Sequence, residues 1–200
     1  MVFNTQSIIL ASSSTTRCEI LKSAHLAFEA HQPRVDEAAL HIVSPLISAA
    51  DLAIKLAKSK AMSLSGVFPN HLILGADQTL EFEGRVHHKA NTVQEAKTAL
   101  RLMSGKIHHL HSAFSVVQNG NELSNHLSTA TLRMRTLSDS FIEIYAENQQ
   151  EALLNSVGGY YYEGMGVHLF EKVAGDIHTI LGLPLLPLLA FLRQQVIIPT

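Results

Sequence analysis

A single cysteine, Cys18, stands in 200 residues, so no internal disulfide can form and the chain suits a reducing cytoplasm. An excess of one charge is missing as well. The 15 Lys and Arg are set against 17 Asp and Glu, for a formal net charge of −2 and a pI near 6.6. That balance removes the global basic field by which nucleic acid or an anionic membrane is attracted. The opening MVFNTQSIILASSS has neither the basic stretch nor the long apolar run of a secretory signal. Near the other end, ILGLPLLPLLAFL falls short of the ~20 residues of a membrane span and contains Pro184 and Pro187. It reads instead as a turn followed by a core-facing helix ending near Arg193. No internal repeat, low-complexity tract or break in composition divides the chain. The common phosphate signatures are absent too: there is no GxxxxGK[ST], and Glu163–Gly166 (EGMG) is not a GxGxxG in a strand–helix context. A soluble, cytoplasmic protein engaging neither nucleic acid nor membrane is expected, and any anion site must come from local placement of cations.

What is present suits one α/β domain over residues 1–200, with 46% hydrophobic residues to fill its core. The patterning predicts a strand over Ser7–Ala11, a helix over Thr15–Ser23 and a strand over Phe28–His31. A long helix over Ser48–Ser65 follows, with an apolar stripe of Leu52, Leu56, Ala57 and Met62. HLILGADQTLEF reads as a buried strand broken at Gly75 and resumed to Glu83-Gly84. Thr92 caps a helix over Val93–Met103, closed by Ser104-Gly105. Two alternating segments, His108–Gln118 and Glu122–Arg135, flank Asn119-Gly120-Asn121 as a hairpin. A helix over Asp139–Asn148, a Gly/Tyr-rich stretch, a strand over His168–Val173 and the final helix complete a mixed sheet with interspersed helices.

The first strand raises a functional question. LASSSTTRCEIL ends it in five hydroxyl residues, Ser12 to Thr16, and then Arg17. One helix cap needs one such oxygen. A cation beside the positive end of a helix dipole runs against the usual preference. An anion held by amides, hydroxyls and the arginine fork would account for both. Other candidates are weaker by themselves. Asp77 in GADQ stands at the carboxyl end of a buried strand, where α/β proteins place ligands, but an isolated Asp is also a turn residue. Glu37, in VDE, reads by default as a loop acid, and Lys60 and Lys89 as solvated charges. Cys18 reads as a half-buried small residue, and the His109/His111 pair as a polar strand face rather than metal ligands.

Taken together these stretches resemble the Maf family, the septum formation inhibitor proteins that act as nucleoside triphosphate pyrophosphatases. The family opening A-S-x-S-P-R-R-x-E-L-L is matched by Ala11, Ser12, Ser14, Arg17, Glu19 and Leu21. V-D-E is matched by Val35–Glu37, L-A-x-x-K-A by Leu56–Ala61 with Lys60, and G-A-D by Gly75–Asp77. Lys89 stands for the lysine of G-K-P, Ser104-Gly105 and His108 for L-S-G-x-x-H, and Gly175, Asp176 and Gly182–Leu185 for the tail motif. Departures are visible. Thr15-Thr16-Arg17 replaces P-R-R with one arginine fewer, His88-Lys89-Ala90 breaks G-K-P, and Gly159–Gly164 replaces A-Y-G-I-Q-G. Gln78 and Glu163 look like the subgroup acting on 7-methyl-GTP, which often carries an aromatic where Thr16 stands.

The resemblance implies an elongated, two-lobed α/β fold with a central cleft, like the inosine triphosphate pyrophosphatases, and often a homodimer. It implies hydrolysis of a nucleoside triphosphate to the monophosphate and pyrophosphate with a divalent cation, Mg²⁺ or Mn²⁺. Asp77 would be general base and, with Glu37, metal ligand. Ser12, Ser14, Arg17, Lys60 and Lys89 would bind the triphosphate, and Thr16, Gln78 and Glu163 would set base specificity. A carboxylate at Glu163 matches two adjacent donors, as guanine offers, with Gln78 donating to O6 and Tyr161 or Tyr162 stacking. Two rivals stay open: a dTTP/UTP pyrophosphatase, and a non-enzymatic nucleotide-binding regulator of cell division.

Overall fold

The computed structural model describes residues 4–36 and 47–200. Its framework follows from IILA, four consecutive buried residues that form β1 (Ile8–Ala11). A continuous apolar run suits a strand covered on both faces, and β1 lies parallel to both neighbours. Ile8 is opposite Phe28 of β2 (Phe28–His31) and Leu72 of β3 (Leu72–Phe82), and Ala11 is opposite His31 and Gly75. The sheet runs β2-β1-β3-β5-β6-β7, with β4 (Arg85–His87) antiparallel to the far end of β3. Between β5 (Ile107–Gln118) and β6 (Asn121–Met134), Asn119 and Gly120 have φ of 52° and 75°, the two positive values that a type I′ turn needs. β7 (Phe170–Ala174) pairs antiparallel with β6 across an irregularity at Arg133/Met134. The mixed α/β sheet expected from the sequence is therefore present.

Hydroxyl and carboxylate caps set most helix starts. Ser14 caps α1 (Thr15–Ser23), Ser48 caps α2 (Ala49–Ser65), Thr92 caps α3 (Val93–Met103) and Ser138 caps α4 (Asp139–Asn148). The short α5 (Gln150–Asn155) lacks a side-chain cap, Asp176 caps α6 (Ile177–Ile180), and α7 (Leu185–Gln194) starts after Pro184. Among the described residues no helix is long and apolar enough to cross a membrane.

The chain divides into two compact units. The first takes the chain up to Gln78, Ser112–Ser128 and Gly182–Thr200. Its core includes Ile9, Ala11, Ala61, Leu64, Ile73 and Val117, with Ala53, Ala57 and Ala113 clustered along α2. The second takes Thr79–His111 and Thr129–Leu181, with Leu80, Leu100, Met103, Leu132, Tyr145 and Leu169 at its centre.

Four expectations are corrected. β3 passes through Gly75 without interruption. Met62 leaves the α2 stripe and is 38% exposed, the buried face running instead through Lys60, Ala61 and Leu64. β5 does not alternate but is buried from Leu110 to Val117. His168 falls in a 3₁₀ turn (Met165–Leu169), so β7 begins only at Phe170. The sequence patterns also left β4, α5 and α6 unanticipated, all of them short.

Candidate active site at the strand ends

β1 and β2 end in register at Ala11 and His31, and Gly75 of the longer β3 is the partner of Ala11 at that level. Ligands of α/β sheets bind beyond such carboxyl ends. Ser12 follows Ala11 directly, and Asp77 lies two residues past Gly75. Gly75 explains what comes next. A Cβ there would stand 2.1 Å from the Ala57 carbonyl oxygen and 2.6 Å from the Ala61 amide nitrogen. Only a glycine lets α2 settle so closely on β3. Lys60, one residue before Ala61 and 7% exposed, then reaches Asp77, which is 6% exposed, with Nζ donating to Oδ1 at 2.5 Å. Gly75 and Asp77 share one strand face by alternation, so the glycine contact and the ion pair have one cause. Removing one partner of such a buried pair leaves an uncompensated charge, at a cost of about 3–5 kcal/mol.

Arg17 has the compensation that its position on α1 did not reveal. Its Nε donates to the Gly182 carbonyl at 2.8 Å and its Nη1 to Ser12 Oγ at 3.3 Å. Ser12, 4% exposed, also accepts from the Ser14 amide at 3.2 Å, and Ser14 Oγ accepts from the Arg17 amide at 3.3 Å. Ser12, Ser14 and Arg17 therefore form one linked cluster, with Thr16 half-buried in the same first turn. Alternation turns Gln78 to the face of β3 opposite Asp77. There Gln78 Nε2 donates at 2.8 Å to Ser112 Oγ, a fully buried hydroxyl on the neighbouring strand β5.

The remaining candidates belong to the second unit. Lys89 is exposed after β4, and Glu163 is exposed before the 3₁₀ turn. Burial raises the Tyr161 hydroxyl above its usual value, with smaller contributions from the Glu151 and Glu163 carboxylates. Tyr162 packs on Phe170 at 5.9 Å between ring centroids and against the core, not outward as a free stacking surface. The Nδ1 atoms of His109 and His111 meet the hydroxyls of Thr131 and Thr129 at 3.0 and 2.9 Å. Among the described residues no group of three or more His, Cys, Asp or Glu is arranged for a metal ion. The polar strand face expected of those histidines is what the structure has. Cys18 is half-buried, as expected. Glu37 lies outside the described residues.

The family model described as Maf-like protein matches residues 7–195. This chain belongs to the Maf family. Relatives are similar over nearly their whole length. A nucleoside triphosphate pyrophosphatase of Rhodopseudomonas palustris is 44% identical over 190 residues, 95% of this chain and 94% of its own. A 7-methyl-GTP pyrophosphatase of Bartonella henselae is 44% identical over 189 residues, 94% and 96% of the two chains. Another protein of that name, from Rhizobium meliloti, is 44% identical over 191 residues, covering 94% and 95%. Among solved structures, the Staphylococcus aureus Ham1 protein aligns over 95% of this chain and 100% of its own, at 12% identity and a TM-score of 0.47. In this Maf chain two site neighbours escaped the sequence reading. The Gly182 carbonyl had a signal, since Gly182 lies in the tail motif. Ser112 had none, being one serine in a buried strand.

Proposed function

We propose that this chain is a nucleoside triphosphate pyrophosphatase with 7-methyl-GTP as its preferred substrate. The observation that carries the reading is the buried Lys60–Asp77 pair, two residues along β3 from where its parallel partner β1 ends, in the unit that also holds the Ser12–Arg17 cluster. The names of the Maf relatives support it, some specifying 7-methyl-GTP. Water attacks the α-phosphorus, its oxygen forming the new P–O bond as the bond to the bridging oxygen of the leaving pyrophosphate breaks. Its proton passes to the Asp77 carboxylate. The leaving group gathers negative charge, so cations and amide donors that are fixed in advance lower the barrier most. Lys60, Arg17 and Lys89 supply charge, and the Ser12 and Ser14 hydroxyls supply hydrogen bonds.

A divalent cation of the Mg²⁺ or Mn²⁺ class takes hard oxygen ligands and rests on one or two carboxylates plus phosphate oxygens. Asp77 offers such an oxygen, so the described donors fit a metal that shares its ligands with a nucleotide. Asp77 and Glu37 would hold it, and when bound it would neutralise phosphate charge. Glu163 reads the base. As an acceptor-only group it suits the adjacent N1–H and 2-amino donors of guanine, and a cationic N7-methylated ring strengthens that contact.

Pyrophosphate release from a panel of nucleotides with Mg²⁺ or Mn²⁺ tests the reading. Turnover of 7-methyl-GTP above GTP, dTTP and UTP is expected, and Glu163→Gln should erode that preference. No pyrophosphate from any nucleotide rejects the enzyme; a wild-type preference for dTTP or UTP rejects the base assignment alone.

A further inference from the structure

We propose that Gly166 is a specificity-positioning residue, whose missing side chain seats the turn that presents Glu163 to the base. The proposal deepens the reading above and rests on it for the role of Glu163. Residues 161–164 form a turn closed by the Gly164 amide, which donates to the Tyr161 carbonyl at 3.2 Å. Glu163 is the third residue of that turn, and it is exposed. The chain then turns again, the Val167 amide donating to the Gly164 carbonyl at 3.2 Å. From Glu163 to His168 every residue is exposed except Gly166, which is buried. That one buried residue backs directly onto the turn.

Glycine supplies room here and not backbone freedom, since the φ of Gly166 is outside the left-handed range. A Cβ at 166 would stand 2.3 Å from the Tyr161 carbonyl oxygen and 2.9 Å from the Tyr160 Cβ. Neither atom can swing aside, because one belongs to the backbone and the other is fixed to it. The carbonyl would have to retreat by about 1 Å to regain an ordinary C···O contact of roughly 3.3 Å. That oxygen is the acceptor that closes the turn, so the turn moves with it and carries Glu163 along. Gly164 gives the contrast. A Cβ there would meet the same oxygen at 3.8 Å, an ordinary contact. Reading a base depends on aim, and a misplacement of about 1 Å can cost on the order of 10²-fold. Guanine needs the carboxylate held against its two adjacent donors, whereas uracil offers Glu163 no such pair. Displacing Glu163 therefore weakens 7-methyl-GTP and spares UTP. A glycine that served only the packing of this segment would affect both nucleotides alike.

The test is the ratio of kcat/KM for 7-methyl-GTP to that for UTP, measured on the intact chain with Mg²⁺ or Mn²⁺. The ratio of Kd values for the non-hydrolysable α,β-methylene analogues is measured beside it, so that an inactive chain also answers. Gly166→Ala should narrow both ratios roughly tenfold or more by weakening 7-methyl-GTP alone. Gly164→Ala, which keeps the amide, should leave them at the wild-type values. Gly164→Pro removes the amide that closes the turn, at an exposed position, and should narrow them as Gly166→Ala does. In a Glu163→Ala background Gly166→Ala should change neither ratio, since no carboxylate remains to be misplaced. A folded Gly166→Ala protein with wild-type ratios overturns the proposal, as does an equal loss for both nucleotides. Should Gly166→Ala fail to fold, unchanged ratios in Gly164→Pro overturn it. A wild type that favours UTP rejects the base assignment, and this inference with it. A 7-methyl-GTP preference that Glu163→Ala erases but Gly166→Ala and Gly164→Pro keep rejects this inference alone.

Discussion

Each unit buries a strong polar pair of side chains, and the two pairs are built on opposite terms. Lys60–Asp77 in the first unit keeps two full charges out of water. His108–Tyr160 in the second is neutral: the fully buried imidazole meets the Tyr160 hydroxyl at 2.7 Å, Nε2 to OH. Burial pushes His108 down to about 4, with the neighbouring His109 and His87 adding to the effect. Burial likewise pushes the Tyr160 hydroxyl far above its usual value. Around them Phe170 completes an aromatic cluster, with ring centroids 5.8 Å from His108 and 4.8 Å from Tyr160. A protein filling its core chooses the second arrangement, because neutral partners avoid most of the desolvation cost. The first is expensive for stability alone, since an apolar pair of equal volume often does as well. A charged pair kept buried in the unit that also holds an arginine bound to a buried serine is better explained by chemistry than by packing.

The largest effect that could break this contrast is on turnover. Asp77→Asn keeps the shape of the side chain and a partner for Lys60, but cannot accept a proton. The rate of pyrophosphate release should fall by roughly 10²–10⁴, with circular dichroism showing the fold retained. Near-wild-type turnover in the folded variant would make the charged pair as structural as the neutral one.

Next in size is an acid effect centred on the second pair. Unfolded His108 titrates near 6.5, the folded residue at about 4. Below the higher value the unfolded chain takes up the proton first, so stability falls as pH drops through this window. The loss stops growing once the folded state also protonates. Its full extent is on the order of 3 kcal/mol. His87 and His111 are lowered mainly by burial as well, so they act in the same direction. Urea midpoints at pH 7 and 4.5 for wild type and His108→Asn isolate the His108 share as the difference in slope. Parallel pH profiles would show that His108 does not stay neutral.

Tyr160→Phe probes the same pair without a charge. It removes the hydroxyl that partners His108 Nε2, while His108 Nδ1 already has no hydrogen-bond partner among the described residues. Leaving a buried polar atom unpaired costs about 1–3 kcal/mol. Thermal unfolding should show that loss, while kcat/KM stays at the wild-type value wherever the variant is folded. A selective fall in kcat would move the aromatic cluster into the catalytic account.

How far the sequence led differs between the pairs for physical reasons. Asp77 was legible as the acid of a buried strand, although β3 runs on past it to Phe82 instead of ending there, and the long helices were legible from their caps and stripes. Lys60 had a local signal that a solvated-charge reading passes over. Leu56, Ala57, Ala61 and Leu64 make a helical stripe into which Lys60 falls. Gly75 misled because an isolated glycine in a strand usually marks an irregularity, whereas its cause is the backbone of α2, contiguous in space and not in sequence. The Arg17–Gly182 bond joins residues 165 apart, and no local pattern encodes such a contact. Lys89 and Glu163 became candidates through the family resemblance alone, and the structure shows them as exposed side chains of the second unit.

The smallest effect expected concerns Ser112. Its buried hydroxyl accepts from Gln78 Nε2 at 2.8 Å, across neighbouring strands and on the sheet face opposite Asp77. If Gln78 takes part in reading the base, Ser112 fixes which edge of the amide it presents, because the Nε2 side is turned toward β5. Ser112→Ala removes that restraint. Gln78 is half-exposed, so water can replace the lost partner, and the cost to stability should stay near 0.5–1.5 kcal/mol. Chemistry at the α-phosphorus should persist, because Lys60 and Asp77 face the other way. The ratio of kcat/KM for 7-methyl-GTP to that for UTP should narrow several-fold, about what one misaligned hydrogen bond is worth. Ser112→Thr, which keeps a hydroxyl on β5, should restore the ratio. General loss of folding would lower turnover of both nucleotides together and leave their ratio alone. An unchanged ratio in a folded Ser112→Ala protein would therefore assign the Gln78–Ser112 bond to the sheet and not to the base.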